Sequence, residues 1–567
     1  MKSYSCKIRK NVTYVLSLAM MLSPLSAMAD HNGITSPELA PVGRLDLGLP
    51  GANVTDVWAQ GNYAYLGTFD EGLCSLDITG VHIVDISIPS TPEKVGFIPA
   101  QPGTRNNDVK VAHIETPFFN GEILVASNES CGSPFIPKLH APGGGFIPGQ
   151  GGLGIWDVSN PLKPRPIRLN FLEFGVHNTF IYQQGENAYM LVVDDENVQD
   201  LTIVDITKPQ SPRVIAVTGK EDWPADIAEE FGDSAAAFLH DVWVQDNGGI
   251  KTAYLSYWDA GLVLLDISDP ANPEFMGDST YANPDPLSGE APAGDGHVAV
   301  PSADGMRVLL GDEDFAAGAL DSFEFNGSPY PVAEGGFTPP TYSLSGGSFS
   351  GPVHWTGGQG CTLGEIDRDA LPGEVALMQR GTCFFSTKAA NAQARGYAGF
   401  VVANDAARGD DLITMSSGTD DVINIPGYFV AYSTGEAMKN AESGVLAAAG
   451  IFDGYGYLRL LDVSNPDNIV ELDQYATENV FANPPVDGDH TMHNVVVDDG
   501  SLAYISWYAS GMRVVDFSGD SLTETAHFVD TTEGSNFWGV YLHEHPNGNT
   551  YVLGSDRSTG LWIFDTP

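Results

Sequence analysis

Apolar residues in this chain collect into short runs that recur about every 45 residues, and seven of those runs end in aspartate. The copies are Val81 to Ile86 around Asp85, Leu153 to Val158 around Asp157, Leu201 to Ile206 around Asp205 and Leu262 to Ile267 around Asp266, with further copies at Asp462, Asp516 and Asp565. Five continue with Ser or Thr, one residue, then Pro: Pro89, Pro161, Pro209, Pro270 and Pro466. Proline cannot donate to a sheet ladder, so each copy reads as a strand running into a sharp turn.

A second apolar run precedes most copies and often opens on Ala-Tyr or Thr-Tyr, as at Ala64-Tyr65, Ala188-Tyr189, Ala253-Tyr254, Ala503-Tyr504 and Thr550-Tyr551. A third run lies before it and a fourth after the prolines. Four short strands per unit, repeated, predict the blades of an all-β, seven-bladed β-propeller. The blades fall at about 53–98, 107–170, 176–217, 239–278, a split fifth, 492–529 and 537–565. The last has three strands, and Val42 to Leu47 after Pro41 is expected to supply the fourth, closing the ring from the N-terminal side and removing an open edge.

The fifth blade is interrupted. Its first strands, His297 to Val300 and Arg307 to Gly311, are separated from its third, Tyr457 to Asp462, by a segment without the repeat. That segment carries Leu371 to Leu377, Gln379 to Phe385, and an Ala-rich stretch from Lys388 that reads as a helix, a glycine turn and a buried strand at Ala398 to Val402. It predicts a small inserted α/β domain. The division expected is 1–29 as a signal peptide, 30–324 as the first part of the propeller, 325–450 as the insertion and 451–567 as the second part.

The apolar-Asp phrases resemble the LVIVD repeat family, a group of mostly bacterial exported β-propellers. The insertion resembles a protease-associated (PA) domain through Arg380-Gly381-Thr382-Cys383-Phe384, Lys388 and the turn Gly396-Tyr397-Ala398-Gly399. The second resemblance implies a non-catalytic module that gates substrates or binds partners. No peptidase domain accompanies it in this sequence.

Charge narrows the partners. The formal net charge is −47, and 43% of residues are hydrophobic, which describes a folded acidic protein. Such a surface repels nucleic acid and anionic membranes. Lys2, Lys7, Arg9 and Lys10 precede an apolar stretch and Ala27-Met28-Ala29, the pattern of a signal cleaved before Asp30. No later apolar run is long enough to span a bilayer. A secreted or periplasmic monomer is expected. After Cys6 leaves with the signal, four cysteines remain, enough for two bridges; Cys74 with Cys131 and Cys361 with Cys383 are the pairings expected, the first two lying in equivalent loops of adjacent blades.

The register also predicts a site. Equivalent positions at the starts of the inner strands are Thr55, Asn107, His177, His240, His297, His493 and Trp538, so four histidines share one structural position. The ends of the second strands give Asp70, Asn128, Asp194, Asp259, Asp312, Ala509 and Asp556. Imidazoles bind Zn, Fe and Cu, and metal-bound histidines hand their other N–H to carboxylates, so His177, His240, His297 and His493 are candidate ligands backed by Asp194, Asp259 and Asp312. Carotenoid-cleaving oxygenases, which hold iron on a propeller axis with four histidines, are a fold-level analogy only. Trp258, Trp507 and Trp538 are candidate ligand platforms on the same face. His490 is a possible additional ligand, and His543 and His545 are expected on a surface hairpin at the opposite end.

Two functions are compatible with this pattern. One is a binding module for an extracellular protein, peptide or carbohydrate, with the PA-like domain beside the binding face. The other is a metal-dependent hydrolase, lyase or oxidase with an ion on the axis. Phosphate loops, zinc-protease helix motifs and nucleophile elbows are absent.

Overall fold

The structure, a computed structural model, describes residues 37–567 apart from 50, 52, 70–77, 131–150, 173, 195–200, 225–237, 280, 282, 284–293, 420, 442 and 484. The signal segment, Asp70, Cys74 and Cys131 lie outside the described residues.

Each apolar-Asp phrase is the third strand of a sheet, as in Gly80–Asp85, Gly152–Asp157 and Gly261–Asp266. Neighbouring blades cover both faces of these strands, which is why they are continuously apolar rather than alternating. Their terminal aspartates are turn-formers. The Oδ1 atoms of Asp85, Asp157, Asp205, Asp266, Asp462 and Asp516 each accept the backbone N–H two residues on, at 2.7 to 3.0 Å. This local bond turns the chain, ahead of a proline in every case but Asp516.

Seven propeller sheets result, all antiparallel, and in the first six the four blade strands run in chain order from the inside out. The seventh is completed as expected: Pro41–Leu45 pairs with Gly560–Asp565, Pro41 facing Phe564 and Leu45 facing Leu561. The chain is a seven-bladed β-propeller, and its core consists of apolar layers between blades, such as Leu191, Ile203, Leu255 and Val263.

The inserted domain lies in chain order between Arg307–Asp312 and Leu458–Asp462, which pair directly with each other through Gly311 and Leu458. Its eight-stranded sheet begins at Gly318–Phe325 and ends at Val445–Phe452, wider than the 325–450 expected from sequence. Ser348–Trp355, Val375–Gln379, Gly399–Ala403 and Gly427–Val430 pair in parallel, with helices Phe385–Ala394 and Tyr432–Asn440. Cys361 and Cys383 form a disulfide, Cα to Cα 5.7 Å. Beside it the buried Lys388 donates from Nζ to the carbonyls of Gln359 at 2.6 Å and Gln379 at 3.1 Å. Burial lowers its pKa to about 8. The motif residues that suggested this domain therefore stitch its loop to its first helix. Among the described residues no helix is long and apolar enough to cross a membrane.

Candidate functional site at the propeller mouth

Local backbone geometry, repeated from blade to blade, aims the ring residues at the axis. In the fourth blade Leu239 faces Tyr257 and Asp241 faces Ser256, leaving His240 as an extra residue on the inner strand. The same shift isolates His297 between Gly296 and Val298, and Trp538 between Phe537 and Gly539. A bulge of this kind re-aims one side chain out of the ladder. The bulges of the fourth and seventh blades are pinned by a serine on the second strand: Ser256 Oγ accepts the Asp241 N–H at 3.2 Å, and Ser555 Oγ accepts the Gly539 N–H at 2.9 Å. Ser127 and Ser506 do the same for Asp108 and Asn494. Two of these serines also reach the next blade, Ser256 donating to the His297 carbonyl at 2.7 Å and Ser506 to the Trp538 carbonyl at 2.5 Å.

The four histidines come together as a continuous arc. Ring centroids are 4.4 Å apart for His177 and His240, 4.2 Å for His240 and His297, and 4.2 Å for His297 and His493. Trp538 extends the arc 4.3 Å beyond His493, and Trp258 packs 5.1 Å from His240. His240 Nδ1 lies 3.1 Å from the His297 carbonyl oxygen, so that nitrogen carries the proton and Nε2 keeps its lone pair. The corresponding sides of His297 and His493 face the carbonyls of His493 and Trp538 without a well-formed bond. Burial, the largest cause, holds His240, His297 and His493 neutral, well below the usual imidazole pKa; neighbouring imidazoles add to it.

The carboxylate that meets these imidazoles is Glu313, a residue not singled out from sequence. His297 Nε2 is 3.6 Å from Glu313 Oε2, and His493 Nε2 is 3.5 Å from Oε1. The Tyr508 hydroxyl donates to the same carboxylate. Donor atoms of His240, His297 and Glu313 all lie within 4.8 Å of one another, close enough to share one ion. Burial pushes the Glu313 carboxyl up to about 8, against the hydrogen bond from Tyr508.

His177 is held differently. Its Nδ1 bonds Glu129, which also takes Arg105 Nε at 2.7 Å, and its Nε2 lies 3.3 Å from the Asn107 amide. Both nitrogens are engaged, so His177 stands in the arc without joining the three donors around Glu313.

The expected aspartate backing takes another form. Asp312 turns away from the axis, accepting Arg459 Nε at 2.7 Å and the Tyr281 hydroxyl at 2.9 Å. Successive strand residues face opposite ways, so the one that meets the imidazoles is the next, Glu313. Asp259 is exposed and Asp194 is buried just past its strand. Trp507 is fully buried among Tyr475, Ile505 and Met492, with Nε1 donating to the His490 carbonyl at 2.6 Å, so it is core rather than platform. His490 is bonded to Ser510 Oγ and the Asp487 carbonyl. His543 and His545, expected at the surface, are buried against the Gly61 and Ile86 carbonyls and join the seventh blade to the first. A carboxylate directly after the aligned Asn128 and Asp312, as at Glu129 and Glu313, was the readable signal for the missed residues.

The inserted domain rises from this site. Residues 313–317 and 453–457 are its two links, and Glu313 is the first residue of the outward one. The links touch: Gly456 N donates to the Asp314 carbonyl at 3.2 Å, and a Cβ at Gly456 would meet the Asp312 carbonyl oxygen at 2.0 Å. Around them the rim is acidic. Burial raises Asp295 to about 7 and Asp314 to about 8, each also repelled by neighbouring aspartates, and Asp259 is raised too. Phe315 is exposed on the same rim, 5.4 Å from Tyr508.

Fold and motif together define a class: a β-propeller that carries LVIVD repeats, matched at residues 51–97, 240–280 and 449–477, and a PA domain, matched at 349–438. The chain is similar to vacuolar-sorting receptor 1 of Pisum sativum, 35% identical over 125 residues that make up 20% of this chain and 19% of that one. Vacuolar-sorting receptor 2 of Arabidopsis thaliana is 35% identical over 128 residues, 20% of each chain. The match thus spans about a fifth of these relatives' length. Among solved structures, Sqt1 of Saccharomyces cerevisiae aligns over 94% of this chain and 100% of its own at 8% identity, with a TM-score of 0.43.

Proposed function

We propose that this chain is an exported binding protein that takes a basic peptide or protein segment on the face where the axial cluster and the PA domain meet. The observation that carries the reading is the position of Glu313, which belongs at once to the buried cluster and to the link into the inserted domain. A ligand held at the mouth would therefore contact both. Asp259 offers an exposed carboxylate, a Lys or Arg approaching Asp295 and Asp314 would draw their raised carboxyls into the charged form, and the exposed Phe315 supplies an apolar contact. The partial likeness to two proteins named as sorting receptors supports a receptor-like role. The Cys361–Cys383 bond and the amino-terminal signal pattern support a secreted or periplasmic location, where the closed ring acts as a monomer.

Fluorescence anisotropy with two labelled peptides of equal length, one rich in Lys and Arg and one rich in Asp and Glu, tests this on the full chain. The basic peptide is expected to bind saturably and to weaken by about tenfold between low and physiological salt, as exposed charge attraction is screened. Phe315→Ala weakens it further. Equal binding of both peptides, or of neither, contradicts the proposal. A second reading, a metal-dependent hydrolase, lyase or oxidase, is favoured by the His240, His297 and Glu313 cluster; its first requirement is that the cluster bind an ion.

A further inference from the structure

From the geometry of the axial cluster we infer that His240, His297 and Glu313, with His493 alongside, form a binding site for one borderline divalent transition-metal ion of the Zn(II), Fe(II) or Co(II) class. This goes beyond the peptide-binding reading and stands independently of it.

Distances carry the argument. The separations of 3.6 Å from His297 Nε2 to Glu313 and 3.5 Å from His493 Nε2 to Glu313 exceed the 2.7–3.2 Å usual for an N–H···O hydrogen bond. They are close to the edge of a coordination tetrahedron, about 3.3 Å when ligands stand about 2.0–2.1 Å from a common ion. The donor atoms of His240, His297 and Glu313 stay within 4.8 Å of one another, so side-chain rotation alone would draw them around one ion.

Chemistry of the donors agrees. His240 is fixed by the His297 carbonyl in the tautomer that presents Nε2, the form in which imidazole binds metals. Tyr508 orients the carboxylate from outside, as outer partners of metal ligands do. Two or three imidazoles and one carboxylate select a borderline divalent ion over Ca(II) or Mg(II), which prefer all-oxygen shells, and the absence of thiolate disfavours soft ions. All three donor residues are buried, and a shared cation would offset part of the cost of burying them.

The competing explanation is that the imidazoles are only a stacked ladder between blades. Titrating chelator-treated full-length protein with Co(II), followed by visible d–d absorption, and with Zn(II), followed by calorimetry, separates the two. One equivalent is expected to bind. His297→Gln and Glu313→Gln should each weaken affinity by more than the roughly 10–100-fold lost with an outer partner, with near-UV circular dichroism unchanged. His113→Gln, an exposed histidine bonded to Glu122 at 2.8 Å, should bind as the parent does. Absence of Co(II) and Zn(II) binding by the folded parent, or binding that persists unchanged in both His297→Gln and Glu313→Gln, overturns the site. Neither result bears on whether basic peptides bind at the rim.

Discussion

Replacing Arg459 by methionine is expected to destabilise the protein by about 3–5 kcal/mol, the range for removing one partner of a buried ion network. Arg459 is 1% exposed and every face of its guanidinium is occupied. Nε donates to Asp312 at 2.7 Å, Nη1 to Glu471 at 3.0 Å and Nη2 to the Tyr457 hydroxyl at 2.9 Å. The plane also stacks 4.6 Å from the Tyr457 ring and 4.9 Å from that of Tyr281. Methionine fills much of the volume but leaves two buried carboxylates without a counter-charge. Adding Asp312→Asn and Glu471→Gln to Arg459→Met should recover at least about 1 kcal/mol, because neutral partners are cheaper to bury than unpaired charges. Urea denaturation followed by tryptophan fluorescence measures both. A single variant within about 1 kcal/mol of the parent, the usual effect of an exposed pair, would mean the network is solvated. The consequence reaches the mouth, since Asp312 directly precedes Glu313 and anchors the strand that delivers it.

Trp507→Ala is the second large effect, about 3–5 kcal/mol as for other buried Trp or Phe truncations. Its side chain is 0% exposed between the fifth and sixth blades, edge-on to Tyr475 at 5.7 Å, and the bond from Nε1 to the His490 carbonyl would be lost with it. The orphaned carbonyl adds to the cavity term. Trp507→Phe should cost less, keeping most of the apolar contact but not the donor. In thermal denaturation both are expected to shift the midpoint while leaving peptide affinity at temperatures below it unchanged. If instead Trp507→Ala retained the parental midpoint and lost ligand, the indole would be a recognition platform rather than core. Against a net stability of typically about 5–15 kcal/mol, either variant removes a large share.

The ring architecture was readable because each blade repeats one physical solution. A strand covered on both faces must be apolar throughout and an Asx turn follows it, with a proline beyond the turn in all but the last of these copies, so Asp85, Asp157, Asp205, Asp266, Asp462 and Asp516 mark equivalent points. That registration brought His177, His240, His297 and His493 to neighbouring positions. The bulges at His240, His297 and Trp538 were not readable, since one extra residue in an inner strand leaves the apolar pattern of the second strand intact. The carboxylate partners were missed by one residue for a related reason. The alignment stopped at Asn128 and Asp312, the last positions that repeat as Asn or Asp, whereas side-chain direction alternates and Glu129 and Glu313 are the ones that turn inward. Aromatic residues were the least legible, because burial is not encoded in residue type: Trp258 and Trp538 border the histidines while Trp507 lies in the core.

The account rests on three imidazoles being packed around Glu313 away from water, and nitrogen-15 NMR of histidine-labelled protein tests that most directly, with assignments from single His→Gln variants. At pH 5.5 an exposed imidazole with the ordinary pKa of about 6.5 is mostly charged. Because burial lowers the pKa of His240, His297 and His493, these three are expected to remain neutral there, with His240 protonated on Nδ1. Titration of the three with midpoints near 6.5 would place them in solvent and contradict the convergence on which the site depends.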